Sequence, residues 1–418
     1  MTRRSSWAMG LALAAAIAGI AASGGASAQS NAGASGAVRL RGDALLQARA
    51  PTGVVVLQGQ GAITPALGVE VLLWGGGGDV TSPEGDLLVA ALAYVDPRGR
   101  GELRAGRMLV TAGALRPLAL DGLSVLGRAG AGTSLQLFAG LPVSPRFSVQ
   151  AWDWAAGARL AQAIGPATLG GGSLQRRAAG QLDAHEVALD AVAFPAAWLD
   201  LGARGALDLV SGTIAEAVLT SGLTLGAVRV SASAVHRVPA HLLPATSLFS
   251  VLGASRTTHA EVRVDWRATP RLDLSATLDG AWFEPAVYVG GALLGQLRLG
   301  RARDAGVIGG ELRRQSAPGT NGLGGWVGAR VFVRVPLVSG PGFGLALASE
   351  VELVRPDQPT RVGDGSARGA WWPWGLVALT ARPLDAWEVS LAAEASASPE
   401  ARAALDVLAR ATYLWGAP

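Results

Sequence analysis

The sequence predicts an all-β protein, a single transmembrane antiparallel β-barrel of about 18–22 strands. Any number from 16 to 22 strands is compatible with the pattern. Half of the 418 residues are hydrophobic, yet no apolar run after residue 28 is long enough for a membrane-spanning helix. Polar and apolar residues instead alternate along extended segments that short turns separate. A closed barrel of strands is the other structure that can span a membrane, because it satisfies every backbone polar group internally.

The first 28 residues have the pattern of a cleaved signal peptide. Arg3 and Arg4 precede an apolar stretch over 7–20, and the small residues 26–28 (ASA) suit signal peptidase. A membrane anchor helix is the alternative, and the shortness of the apolar stretch disfavours it. We therefore predict a signal peptide over 1–28, a linker over 29–37 and the barrel over 38–415.

The alternation is clearest in the C-terminal part of the chain. In the segment 260–267 (AEVRVDWR) every second residue is charged, and the residues between them are apolar. The same alternation occurs at 272–282 and 387–394, and in the first and last segments, 38–47 and 405–415. Soluble antiparallel sheets alternate too, but their strands average about 5–6 residues, which is shorter than these segments.

The charged face of these strands is predicted to point into the barrel. An arginine that faces lipid at mid-bilayer costs roughly 2–4 kcal/mol, so many of them would exceed the roughly 5–15 kcal/mol by which folds are stable. The residues predicted to line the lumen are Arg39, Arg41, Asp43, Arg229, Glu261, Arg263, Asp265, Arg267, Asp273, Asp279, Arg330, Arg334, Glu388 and Arg410.

The stretch 111–133 lacks clean alternation, and two interpretations remain open. It is either a long outer loop or a loop that folds inward and constricts the lumen. In the second case Arg116, Asp121 and Arg128 would line the constriction.

Aromatic residues and connections predict how the barrel sits in the bilayer. Transmembrane barrels carry aromatic girdles at both interfaces, short periplasmic turns and longer outer loops. In the C-terminal half, short turns rich in Pro, Arg or Asp alternate with generally longer loops. The aromatics predicted at the lipid interface are Trp266, Trp282, Trp387, Tyr413 and Trp415.

Motifs for chemistry are weak, so neither an enzyme, a metal site nor a cofactor is predicted. The chain has no Cys, four His and no G-x-S-x-G motif. Asp183 and His185 share one face of their predicted strand whereas Glu186 faces the other, which disfavours a cation site. Arginines and acids are spread together along the chain, which excludes the clustered basic surface of a nucleic-acid-binding protein.

The leader, the alternating Arg/acid strands, the short Pro turns and the terminal Tyr413-x-Trp415 resemble those of bacterial outer-membrane β-barrel proteins of the porin-like kind. The resemblance covers nearly all of the mature chain. It implies export to the outer membrane, contact with outer-membrane lipids, and insertion by the barrel assembly machinery, which recognises a last strand with an aromatic residue near its end. It implies nothing about the oligomeric state.

A porin-like channel for small polar solutes is the first functional hypothesis, because the charged face would line the lumen. The first alternative is a non-conducting structural or surface-display barrel whose outer loops carry the function. The second is a secreted soluble all-β binding protein, such as a sandwich or a propeller.

Overall fold

A computed structural model describes residues 38–48, 51–78, 81–143, 153–238, 256–283, 286–300, 305–316, 325–340, 342–357, 360–361, 367–368, 371–397 and 403–416. The predicted signal peptide and linker lie outside the described residues and stay predictions. Within the described part of the chain, no helix is long and apolar enough to cross a membrane.

The described chain is built from strands. Those of the N-terminal half are β1 Val38–Gln47, β2 Thr52–Ala62, β3 Leu67–Gly78, β4 Thr81–Val95, β5 Gly101–Val110, β6 Leu118–Arg128, β7 Thr133–Pro142, β8 Trp154–Ile164, β9 Ala167–Ala178, β10 Gln181–Ala196, β11 Leu199–Asp208 and β12 Thr213–Leu225. Those of the C-terminal half are β13 Val228–Arg237, β14 Thr257–Arg267, β15 Leu272–Phe283, β16 Ala286–Arg298, β17 Val307–Ser316, β18 Trp326–Gly340, β19 Phe343–Pro356, β20 Thr360–Arg361, β21 Ala367–Arg368, β22 Trp372–Leu384, β23 Trp387–Ser396 and β24 Ala404–Trp415.

Twenty-two of these strands form one closed antiparallel sheet, which confirms the predicted fold class and strand number. Each strand pairs with its neighbour in sequence, and β1 pairs with β24 to close the barrel. The short strands β20 and β21 pair only with each other, in the connection between β19 and β22. The soluble sandwich or propeller is therefore wrong, because one sheet closes on itself.

Because the number of antiparallel strands is even, β1 starts and β24 finishes at the same end of the barrel. We call this end the terminal end. Its connections include two-residue turns such as 165–166 and 226–227, where Gly165 and Gly226 adopt the positive φ that favours glycine. The opposite end, here called the loop end, carries the longest connections, including 238–256. The loop end also has two-residue connections such as 179–180, so the longer connections predicted for one end are found there at some positions only.

Candidate functional site: the inner wall of the barrel

The strand register places all fourteen residues predicted to line the lumen on one face of the wall. Arg263 of β14, for example, lies between Ser231 of β13 and Thr277 of β15. The neighbouring Val262 pairs with Leu278, on the opposite face. Side chains directly opposite each other in an antiparallel pair share a face, so this assignment can be followed from strand to strand around the barrel.

On β17, side-chain exposure distinguishes the charged face from the apolar one. Glu311 is 8% exposed whereas the next residue, Leu312, is 60% exposed. Outward-facing side chains diverge on a closed barrel, and inward-facing ones converge. The outward face is thus a broad apolar surface of the kind that lipid requires.

Most charges of the inner wall belong to ion pairs. Arg263 Nε donates to Asp265 Oδ1 at 2.9 Å, and Ser275 also donates to that oxygen. Arg330 on β18 binds carboxylates on both neighbouring strands, Glu311 of β17 and Glu350 of β19. Pairing of this kind leaves the wall strongly polar but locally close to neutral.

A few of the predicted inner-wall charges have no ion-pair partner among the described residues. Arg39 and Arg334 belong to this group, and both lie in the half of the wall toward the terminal end. Glu261 and Asp279 also belong to it, and they lie directly opposite each other on β14 and β15. Two like charges placed side by side require hydration, which a water-filled lumen supplies.

The connection 111–117 folds inward and packs on the inner wall. Leu115 is buried against β9 at Gly172, where a Cβ atom would lie 2.9 Å from Leu115 Cδ1. Gly113, with φ at +59°, passes close to the Arg159 and Asp190 side chains. The wall beneath is apolar, and the connection and the wall together form one buried cluster, which comprises Val89, Ala91, Met108, Val110, Ala112, Leu115, Leu118, Leu120, Phe138, Ala155, Leu174, Ala188 and Ala206.

A buried ion pair joins this inward loop to the wall. The Arg116 guanidinium contacts the Glu186 carboxylate of β10, and their side chains are 6% and 0% exposed. Burial lowers the pKa of the Arg116 guanidinium, and the adjacent Glu186 charge opposes that shift. Removing either partner would break this buried pair, which is far more costly than losing an exposed pair.

The predicted constriction loop is therefore shorter than 111–133, and only Arg116 of its three named residues lies in it. Asp121 is on β6, opposite Arg107 and Leu141, which places it on the outward face. There Arg107 Nε donates to Asp121 Oδ1 at 2.7 Å. Arg128 is the last residue of β6, at the terminal end, far from the loop.

The five aromatics predicted at the lipid interface all lie on the outward face by register. Trp387 and Tyr413 pair across β23 and β24 with ring centroids 4.7 Å apart. Both lie close to the terminal end, as do Trp266 and Trp415, whereas Trp282 lies close to the loop end. These positions fit two girdles, and their role at a bilayer stays a prediction.

The described histidines form no metal centre. His185 faces outward and Glu186 inward, and Asp183 binds Arg176. Within the described residues there is no group of three His, Asp or Glu side chains that could hold a metal ion. His185 Nε2 lies 3.3 Å from Ser173 Oγ, but Ser173 sits inside a regular strand, where the sheet engages the backbone amides that an oxyanion site requires. His241 lies outside the described residues.

Comparison with known proteins supports the architecture. No protein-family model matches the sequence, and no curated protein matches it. Among solved structures, the chain is similar to the P pilus usher (PapC) translocation pore, with 9% identity, a TM-score of 0.50, and coverage of 90% of this chain and 98% of that one. It is equally similar to the ferric-catecholate import receptor Fiu from E. coli K12, with 9% identity, a TM-score of 0.50, and coverage of 90% and 81%. A weaker likeness, with 11% identity and a TM-score of 0.40, exists to OccK5 (OpdH) of Pseudomonas aeruginosa, covering 90% of this chain and 96% of that one.

The closed sheet, its apolar outward face and its charged inner face are the features of a transmembrane β-barrel. Together with the likenesses to the usher pore and the import receptor, they give the chain the fold of the bacterial outer-membrane β-barrels.

Proposed function

We propose that this protein is an outer-membrane channel that passes small polar solutes by diffusion. The observation that carries the proposal is the inner wall, where charged side chains form a polar surface from the terminal end at Arg39 to the loop end at Arg237. A wall of this composition would be unfavourable if the lumen were dry, because unpaired charges need water.

The size of the barrel supports passage of hydrated solutes. Twenty-two strands, spaced about 4.8 Å apart and tilted by about 40°, enclose a space roughly 45 Å across between backbones. Transporter barrels of 22 strands have a lumen that is filled by a plug. In the described part of this chain, the segment that folds into the lumen is the short connection 111–117, and it covers one sector of the wall. The described residues therefore leave most of the lumen open to solutes.

The location and partners follow from the same proposal. The terminal end would face the periplasm and the loop end the exterior, since short turns are periplasmic in barrels of this kind. The outward face would contact outer-membrane lipids, and the barrel assembly machinery would insert the chain. The proposal includes no catalytic step, nucleic acid, metal or cofactor.

Flux of neutral sugars into liposomes that contain the purified barrel tests the proposal. We expect rapid swelling with monosaccharides and slower swelling with larger oligosaccharides, because the wall imposes a size limit but no binding step. A barrel that shows the heat-dependent gel mobility of a folded β-barrel and yet admits no monosaccharide would contradict the channel and favour the non-conducting structural barrel.

A further inference from the structure

Four arginines of the described wall strands lie on the outward face, which is mainly apolar. Each lies within four residues of the loop end of its strand, and the described strands carry no outward-facing arginine at the terminal end. By register they are Arg107, Arg177, Arg314 and Arg355.

The position of these arginines indicates the level along the barrel at which the lipid headgroups lie at this end. A guanidinium on the lipid face costs roughly 2–4 kcal/mol at the midplane but about 0–1 kcal/mol near the interface. The outward arginines are therefore tolerated where lipid headgroups begin. The ring of Trp154 under Arg177, with 5.8 Å from guanidinium carbon to ring centroid, is the aromatic expected at that level.

Two of these arginines form one patch on consecutive strands. Arg314 of β17 and Arg355 of β19 lie on either side of Val327 of β18, since both pair with that residue. The Arg355 guanidinium stacks on the exposed ring of Trp371 at 5.8 Å. We define the rim patch as Arg314, Val327, Arg355, Trp371 and Asp357.

The rim patch keeps a net positive charge. Arg314 donates two hydrogen bonds to Asp357, at 2.5 and 2.7 Å. The Arg314 guanidinium holds the pKa of Asp357 below its usual range, so this carboxylate is ionised at neutral pH. Arg355 has no carboxylate hydrogen bond among the described residues, and its stacking on Trp371 leaves its N–H groups available to a ligand.

The surface beneath the rim patch is shaped for acyl chains. One level deeper on the same face lie Leu312 and Leu353, which are 60% and 40% exposed. Val331 and Val351 follow at the next level. A phosphate bound by the two guanidinium groups would thus continue directly into apolar contacts along the wall.

We propose that the rim patch binds the phosphate headgroup of an anionic lipid in the leaflet at the loop end. Guanidinium groups recognise phosphate by paired, charge-assisted hydrogen bonds, and basic residues at a membrane surface attract anionic lipid. The acyl-chain contacts favour a lipid over a free phosphate ion. This assignment does not depend on whether the barrel conducts.

Titration of the detergent-solubilised barrel with phosphatidic acid, followed by native mass spectrometry, tests the assignment. Phosphatidylcholine with the same acyl chains and inorganic phosphate alone are the comparison ligands. We expect phosphatidic acid to bind most tightly, and the R314Q/R355Q variant to bind it roughly 10- to 30-fold more weakly. We expect Asp357→Asn to bind it more tightly, because Arg314 loses its competing carboxylate.

The matched control is R313Q/R334Q, which removes two arginines from β17 and β18 on the inner face. It should bind phosphatidic acid like the wild type, and an R314K/R355K variant should retain part of the affinity because it keeps both charges. Equal loss in the control, unchanged affinity in R314Q/R355Q, or equal binding of phosphatidylcholine would overturn the proposal. Saturation by inorganic phosphate at the same concentration as the lipid would show a site for a free ion instead.

Discussion

Asp43 in the first barrel strand accepts a hydrogen bond from the Thr412 hydroxyl in the last strand, at 2.7 Å. Arg410 of the same last strand donates to the same carboxylate oxygen at 2.8 Å, and Arg41 donates to the other oxygen at 2.7 Å. The strands β1 and β24 are paired but are not joined by a turn, because they are the first and last strands in the sequence. The side-chain hydrogen bonds at this seam therefore reinforce the backbone pairing that closes the barrel.

Loss of the Asp43 carboxylate should weaken closure of the barrel. In Asp43→Ala, Arg41 and Arg410 lose their shared acceptor, and we expect a loss of about 1–2 kcal/mol in the free energy of unfolding, limited by solvent screening. The urea concentration at which the barrel unfolds in detergent measures this. Asp265→Ala removes a similar carboxylate away from the seam and should cost less. An equal or larger effect in that control would contradict a special role for the seam.

The assignment of the two wall faces is tested at mid-strand on β14. Val262→Arg places a guanidinium in lipid and should cost about 2–4 kcal/mol, enough to reduce assembly into vesicles. Arg263→Gln, one residue further along, should assemble normally because its side chain lies in the lumen. Folding yield in vesicles of defined composition, read by heat-dependent gel mobility, separates the two. Normal assembly of the first variant and failure of the second would reverse the faces.

The buried contact between Arg116 and Glu186 should hold the inward loop on the wall. Arg116→Ala removes the cation that contacts the buried Glu186 carboxylate and should destabilise the barrel by about 3–5 kcal/mol, or release the segment 111–117 and raise the ion conductance of the pore. Pairing Arg116→Met with Glu186→Leu should recover most of the stability, because it removes both charges at similar volume. If the single variant unfolds and conducts like the wild type, the ion pair has no holding role.

The aromatic pair at the terminal end should anchor the barrel in the interface. Trp387→Ala removes the outward contact with Tyr413 and should lower stability in lipid vesicles by more than in detergent, because the interface contributes only in a bilayer. Trp374→Ala, on the inner face, is the control for loss of a large aromatic ring. Equal differences between vesicles and detergent for both variants would argue against an interfacial role.

The strand faces were predictable wherever one face is apolar and the other is charged or polar. Arg263 and Val262 illustrate this, because alternation with a period of two directly reports which face is apolar. The sequence could not predict the face of Asp121 in the same way. Inward residues of that sector, such as Leu120 and Met108, are apolar because the segment 111–117 covers them. Both faces of the strand are therefore hydrophobic, and the sequence shows no alternation of polar and apolar residues there.

The buried partner of Arg116 was equally hidden from the sequence. Glu186 lies 70 positions further along the chain, on β10, and nothing in its local pattern distinguishes it from other inward carboxylates. The outward arginines of the rim patch were also missed as a group. Arg314 and Arg355 become neighbours only through the register of β17 and β19 with β18, which the sequence does not specify.

Single-channel recording in planar bilayers tests the central claim, an open polar lumen, most directly. The account predicts discrete conductance steps for the wild-type barrel, with a salt dependence close to that of the bulk electrolyte because the wall charges are largely paired. The absence of any conductance steps from protein shown to be inserted and folded in the same membrane would contradict it.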